Sequence, residues 1–170
     1  EALPPSDADD WSALSLAPED EARQLANLAF GRGARRSVII RPDNDWGRRM
    51  EAALQQTWRG LGGRVTTTLA LTEEPSASEQ ISRAVGGYAS EARIRAVESA
   101  FEAPVEARAR RRQDFDSIFL LAQSPAEARS LRPLLVFHYS GDIPVYAPSS
   151  IYSGNQHLQN RDLNDVIFVE

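Results

Sequence analysis

Two amino acids are missing from this sequence: there is no cysteine, and all 19 basic residues are arginine, so there is no lysine either. Without lysine there is no Walker-A loop, no Schiff-base or pyridoxal chemistry and no lysine general base. Without cysteine there is no thiol nucleophile, no disulfide, no cysteine-based zinc site and no iron–sulfur cluster. An arginine-only basic set is most simply a trace of GC-rich codon usage, and the exclusions hold whatever its cause. The net charge of −5 argues against a general nucleic-acid binder, because phosphate binding needs a basic face. No apolar stretch approaches the roughly 20 residues that a membrane-spanning helix requires. The opening residues EALPPSDADDW do not resemble a signal peptide, and so abrupt a start leads to the expectation that the chain is cut from something longer. What is present is ordinary: 170 residues, 42% hydrophobic and 25% charged, enough for one compact domain with a real core.

After an acidic, proline-containing lead-in over 1–15, the segment APEDEARQLANLAFGRG reads as a helix. Pro18 suits the first turn, Glu19, Asp20 and Glu21 suit the positive end of the dipole, and Ala22, Leu25, Ala26 and Ala29 form the apolar stripe. Ser37–Arg41 reads as a strand buried on both faces, which belongs in a parallel sheet. Pro42-Asp43-Asn44-Asp45 is a turn with Asp45 as a natural N-cap, and Met50, Ala53, Leu54, Trp58 and Leu61 line a second helix stopped by Gly62-Gly63. Val65–Leu69 is a second strand. Over 72–114 the pattern predicts one helix around Ile81, Ala84 and Val85. A second, capped by Ser90, carries Ile94, Val97 and Phe101, and an arginine-rich stretch follows it. SIFLLA at 117–122 is the strongest strand in the chain. Ser124-Pro125-Ala126-Glu127 is a capping box that starts a helix bearing Leu131, Leu134 and Leu135, which Pro133 should kink or shorten. Pro144–Ala147 and Val166–Val169 complete a doubly wound, mainly parallel α/β sheet of about five strands.

Ligands of open parallel sheets sit beyond the carboxyl ends of the strands, where the strand order reverses. The loops to inspect are therefore Pro42–Trp46, Leu71–Pro75, Gln123–Ser124 and Pro148–Gly154. Asp43 and Asp45 suit a cation or a ligand amine, but Asp and Asn are the preferred residues of such turns, so Asp45 as a helix cap and Asp43 as a solvated turn residue is the better explanation. A phosphoacceptor receiver domain would place carboxylates here too, but it needs a lysine that this chain lacks. Ser124 and Ser149 follow strands as a nucleophile would. There is no GxSxG elbow, however, and neither His138 nor His157 shows partner spacing, so an N-cap role explains Ser124 better. The glycine pairs end helices rather than open them, and two histidines nineteen positions apart are not metal-ligand spacing. Neither a catalytic residue, a metal nor a cofactor is expected. The arginines at 108–112 are either a recognition surface for an anionic partner or an exposed segment neutralised by Glu102, Glu106, Asp114 and Asp116.

Several of these segments together resemble one family. GRGARRSVIIRPDNDWGRRMEAALQQTWRGLGG resembles the helix, strand, P-x-x-x-WG-x-R turn and helix of the LppC/LpoA-type lipoproteins. RRRQDFDSIFLLAQSPAEARSLRPLL resembles their RR-x-D-x-D-x-IFL strand and following helix, and DIPVYAPSSIYSG their D-x-PVYA-x-S-x-Y-x-G segment. The likeness runs over most of 11–169 and is weakest at 72–100. The C-terminal half of that family is similar to type I periplasmic solute-binding proteins, two doubly wound lobes around a ligand cleft. The resemblance implies that 1–170 is a single lobe, with 1–15 arriving from a crossover and 163–170 forming the strand that leads back to the other lobe. It further implies a non-enzymatic protein on the periplasmic face of the outer membrane, held there by a lipid anchor outside this chain, that binds and activates a bifunctional class A penicillin-binding protein in peptidoglycan synthesis. Arg110, Arg111 and Arg112 are then candidates for the partner surface. The alternative is a solute-binding lobe for a small periplasmic ligand, an amino acid or amide, with Asp43, Asp45, Ser124, Ser149 and Tyr152 on the cleft wall.

Overall fold

A computed structural model describes residues 17–101, 106–152, 163 and 165–169. Its elements run α1 (Pro18–Gly31), β1 (Arg36–Pro42), α2 (Asp45–Gly60), β2 (Arg64–Leu71), α3 (Ala77–Val85), α4 (Gly87–Phe101), β3 (Ser117–Leu120), α5 (Pro125–Leu135), β4 (Val145–Ala147) and β5 (Val166–Phe168). An irregular π-helical turn, Val136–Ser140, follows α5, its His138 and Tyr139 departing from helical backbone angles, and a short 3-10 turn, Ser149–Ile151, follows β4.

The strands lie in the order β2-β1-β3-β4-β5, and every neighbouring pair is parallel. This is the doubly wound sheet that the runs VII and SIFLLA imply. Alternation along the strands explains why those runs are apolar throughout. Val38 and Ile40 of β1, Ile118 and Leu120 of β3 and Val145 of β4 face one core, filled by Ile81 and Val85 of α3 and Leu131 and Leu135 of α5. Ile39, Phe119 and Tyr146 face the other, filled by Leu25 and Ala29 of α1 and Met50, Leu54 and Trp58 of α2. Trp58 is fully buried there, edge-on to Phe119 at 5.2 Å and to Phe30 at 5.9 Å. Such pairs add about 0.5–1.5 kcal/mol each beyond area burial.

Three local expectations are corrected. The cap of α2 is Asn44, not Asp45: Asn44 is extended (φ −142°) and its Oδ1 accepts the Gly47 N–H at 2.8 Å, while Asp45 is the first helical residue. Ser90 caps nothing. Gly86, at φ +87°, ends α3 in the left-handed region that glycine adopts freely, α4 starts at the next residue, and the Ser90 Oγ instead accepts the Arg110 N–H at 3.0 Å. The face of α4 that carries Val97 and Phe101 is not core, since these side chains are 42% and 75% exposed. Pro133 lies inside α5, which ends two residues further on at Leu135 and passes into the turn Val136–Ser140. Ser124 does cap α5, accepting the Glu127 N–H at 3.2 Å, while the Glu127 carboxylate reaches back one residue further than expected, to the Gln123 N–H at 2.8 Å. The lead-in over 1–15, the part of the last loop beyond 152, and His157 lie outside the described residues.

Candidate functional site

Strand order reverses between β1 and β3, so the crevice of this fold opens beyond their carboxyl ends. Two amides span it. Asn44, while capping α2 through Oδ1, donates from Nδ2 to Gln123 Oε1 at 2.7 Å. The turn between β1 and α2 is folded tightly over this point: a Cβ on Gly47 would lie 2.4 Å from the Pro42 carbonyl oxygen, so only glycine fits. One strand over, Gln80 of α3 is almost fully buried and fastens the loop after β2. Its Oε1 accepts the Thr72 N–H at 3.2 Å, and its Nε2 donates to the carbonyls of Thr72 at 2.9 Å and Pro75 at 2.5 Å.

The acidic candidates flank the crevice and share one cation. Arg48 donates to Asp43 at 3.0 Å and to Asp45 at 2.7 Å, and Arg41 lies 3.4 Å from Asp43. The hydrogen bond and charge of Arg48 hold the Asp45 carboxyl below the usual carboxylate range. Asp45 is fully solvated, so this pairing orders the turn more than it stabilises the fold. Beyond β4, the Ser149 N–H donates to the Glu21 carboxylate of α1, and the neighbouring Ser150 Oγ donates to the Ala122 carbonyl at 2.6 Å. Tyr152 is half exposed and stacks on Phe168 of β5, with 5.3 Å between ring centroids. The structure thus brings Asp43, Asp45 and Ser124 to the β1/β3 crevice, and Ser149 and Tyr152 to the β4/β5 end of the same rim. Asn44, Gln123 and Gln80 escape a sequence reading, because an amide in a turn or on a helix carries no local signal of a partner dozens of residues away. Among the described residues, no group of three or more histidines and carboxylates is placed to hold a metal ion, and no helix is long and apolar enough to cross a membrane.

The arginine cluster lies at the opposite end of the sheet, where the strands begin, and its members differ. Arg111 is mostly buried, pairs with Asp142 through Nη2 at 2.7 Å and Nε at 3.3 Å, and lies over the Phe115 ring. Arg112 forms a two-pronged pair with Asp114 at 2.9 and 2.5 Å, donates to Thr67 Oγ1 at 2.6 Å, and gives its backbone N–H to the Val85 carbonyl at 2.7 Å. Each guanidinium lowers the pKa of its carboxyl partner, Asp142 and Asp114 respectively. Asp116 completes the set by accepting the backbone N–H groups of Arg35 at 3.0 Å and Arg36 at 2.9 Å. Arg110 is exposed, and its guanidinium makes no ion pair among the described residues.

The pairs inside RRRQDFD and the capped turns of the crevice account locally for the motifs that carry the family likeness, and the comparison with known families agrees. The family described as LppC putative lipoprotein matches residues 8–170. The chain belongs to the LppC family. A relative named penicillin-binding protein activator LpoA, from Photobacterium profundum, is 29% identical over 157 residues, covering 91% of this chain and 25% of its own length. Another of that name, from Vibrio vulnificus, is 24% identical over 156 residues, covering 91% and 26%. The chain therefore spans about a quarter of the length of these relatives. Among solved structures, the C-domain of LpoA (YraM) from Haemophilus influenzae, named a regulator of PBP1A, superposes with a TM-score of 0.60 at 20% identity, covering 89% of this chain and 39% of that one. An ABC-transporter solute-binding protein from R. palustris in complex with 4-hydroxybenzoate superposes with a TM-score of 0.57 at 12% identity, covering 80% and 31%. These structures establish for the LppC chain a fold shared with periplasmic solute-binding proteins.

Proposed function

We propose that this LppC chain is one lobe of a non-enzymatic regulator of peptidoglycan synthesis, which binds and activates a bifunctional class A penicillin-binding protein. In this reading the whole protein sits at the periplasmic face of the outer membrane through a lipid anchor. The observation that carries it is the family match over 8–170, together with relatives named as penicillin-binding protein activators. The state of the crevice supports it: its amides are paired across the gap, both aspartates share Arg48, and Ser124 is used as a cap. Arg110 belongs to the partner surface, while Arg111 and Arg112 shape that surface through their internal pairs. The test is to measure the glycosyltransferase and transpeptidase rates of the cognate synthase with and without the intact protein. We expect a stable complex and raised rates; no complex and unchanged rates would overturn the proposal. A solute-binding role rests on fold likeness alone.

A further inference from the structure

The π-helical turn after α5 has a peculiar arrangement of side chains. Val136, Phe137 and Tyr139 are 54%, 71% and 44% exposed, a run of large apolar groups that burial would ordinarily claim. His138 between them points inward, its Nε2 within 2.9 Å of Ser78 Oγ on α3. Tyr139 has φ +64°, the left-handed conformation that a bulky side chain adopts only under strain. The pinned histidine and the strained tyrosine together keep the Phe137 and Tyr139 rings out in solvent.

Beneath this turn lies a cation with no counter-ion among the described residues. Arg132 of α5 is 5% exposed; among the described residues its Nη2 reaches the Gly141 carbonyl at a long 3.5 Å, and Nε and Nη1 have no partner. Asp142, the next residue along, is taken by Arg111. A buried guanidinium with open donors is unfavourable until a carboxylate reaches it, and the planar fork of arginine suits a two-pronged carboxylate contact.

We propose that Val136–Ser140 is the ledge on which a partner protein docks a segment carrying a carboxylate beside an apolar side chain, and that Arg132 is the anchor for that carboxylate. This rests on the reading of the protein as one that binds a synthase. The Gly141 carbonyl that covers Arg132 directly follows the strained turn, so relaxation of Tyr139 as the partner seats uncovers the guanidinium. The ledge lies where α5 runs back to the start of β4, at the opposite end of the strands from the crevice, so a docked partner leaves the crevice open.

The test measures the melting temperature of the intact protein and its dissociation constant for the cognate synthase, for wild type, Arg132→Met and Phe137→Ser. Met has similar length and no charge. We expect R132M to hold or raise the melting temperature while weakening the complex at least tenfold, and F137S to weaken it about as much with no change in melting temperature. A large drop in melting temperature or failure to fold in R132M would show that Arg132 serves the fold, and would overturn its role as anchor. Wild-type affinity in both variants would overturn the ledge while leaving the synthase reading intact. No complex with wild type would instead bring down that reading, and the ledge with it.

Discussion

Asp116 offers the sharpest check on how the family signature works. Its carboxylate Oδ1 accepts two backbone N–H groups at the start of β1, from Arg35 at 3.0 Å and Arg36 at 2.9 Å, and Oδ2 lies 3.5 Å from Arg36 Nε. Its own N–H donates to the Arg36 carbonyl at 2.8 Å, so this one residue sets the register in which β1 and β3 begin to pair. Replacement by alanine removes two hydrogen bonds to a charged acceptor, each worth about 1.5–3 kcal/mol when shielded. Here a third of the side chain is exposed, water re-solvates much of what is lost, and the ion pair counts for little. The net expectation is a loss of about 2 kcal/mol, which for a domain of this size lowers the melting temperature by about 4–8 °C. Asp116→Asn keeps one acceptor oxygen and should fall between. Acid supplies a second reading. Burial pushes the Asp116 carboxyl up, but the N–H groups of Arg36 and Arg35 and the Arg36 charge outweigh it and hold the pKa below its ordinary 3.8. On acidification the unfolded chain therefore binds the proton first, so the stabilisation is complete above the unfolded pKa and disappears as the pH falls through the folded one. Urea unfolding of wild type and D116A should show a constant gap from neutral pH down to about 5, narrowing below about 4. A loss under about 1 °C at pH 7, or a gap that widens on acidification, would refute the reasoning.

Two further outcomes follow from single side chains. Asn44→Ala removes both the α2 cap and the bridge to Gln123, and should cost about 1–2 kcal/mol. Gln123→Ala removes the bridge alone, and a double-mutant cycle by urea unfolding should return a coupling of about 0.5–1 kcal/mol; additive losses would mean that the two amides do not communicate. Burial lowers the His138 pKa below its ordinary 6.5 against the opposing pull of Glu91 and its contact with Ser78, so the unfolded chain again takes the proton first. Stability should decline as the pH drops through about 6.5 and level off below the folded pKa, a window well above that of Asp116. His138→Gln should abolish that decline in melting temperature, and a wild-type profile flat between about pH 7.5 and 5 would count against it.

Much of the fold was legible because burial on two faces writes itself into sequence. A strand with helices on both sides must be apolar at consecutive positions, and Val38-Ile39-Ile40 and Ile118-Phe119-Leu120 divide between the two cores accordingly. The stripe Ala22, Leu25, Ala26 and Ala29 is fully buried for the same reason. Helix α4 shows the limit of such reading. Ile94, Val97 and Phe101 have helical spacing, but periodicity records a face that prefers cover, not whether the chain supplies it, and only Gly87 and Ser90 of α4 are buried. The misplaced caps have a different origin. Asparagine and aspartate are nearly equal as N-caps, and what favours Asn44 is a second hydrogen bond to a residue 79 positions away.

The site was legible in position and hidden in detail. The rule that ligands sit at the switch in strand order points to the loops that carry Asp43, Asp45 and Ser124, which lie at the β1/β3 crevice, yet it says nothing about which polar groups there are already paired. The signature RRRQDFD makes the complementary point. Motifs are recognised by charge and spacing, and in this one Arg111, Arg112, Asp114 and Asp116 form a chain of pairs that fastens the return from α4 onto α3, β2, the loop before β4 and the start of β1. A guanidinium bonded to a carboxylate of its own chain has little left to offer a partner, so the residues that make the family recognisable need not be those that make contact. Binding must then draw on groups that the fold leaves unmet. At this end of the sheet the most conspicuous is Arg132, whose position in a helix under an ordinary leucine pattern gave no sign that its charge would be buried with no carboxylate partner among the described residues.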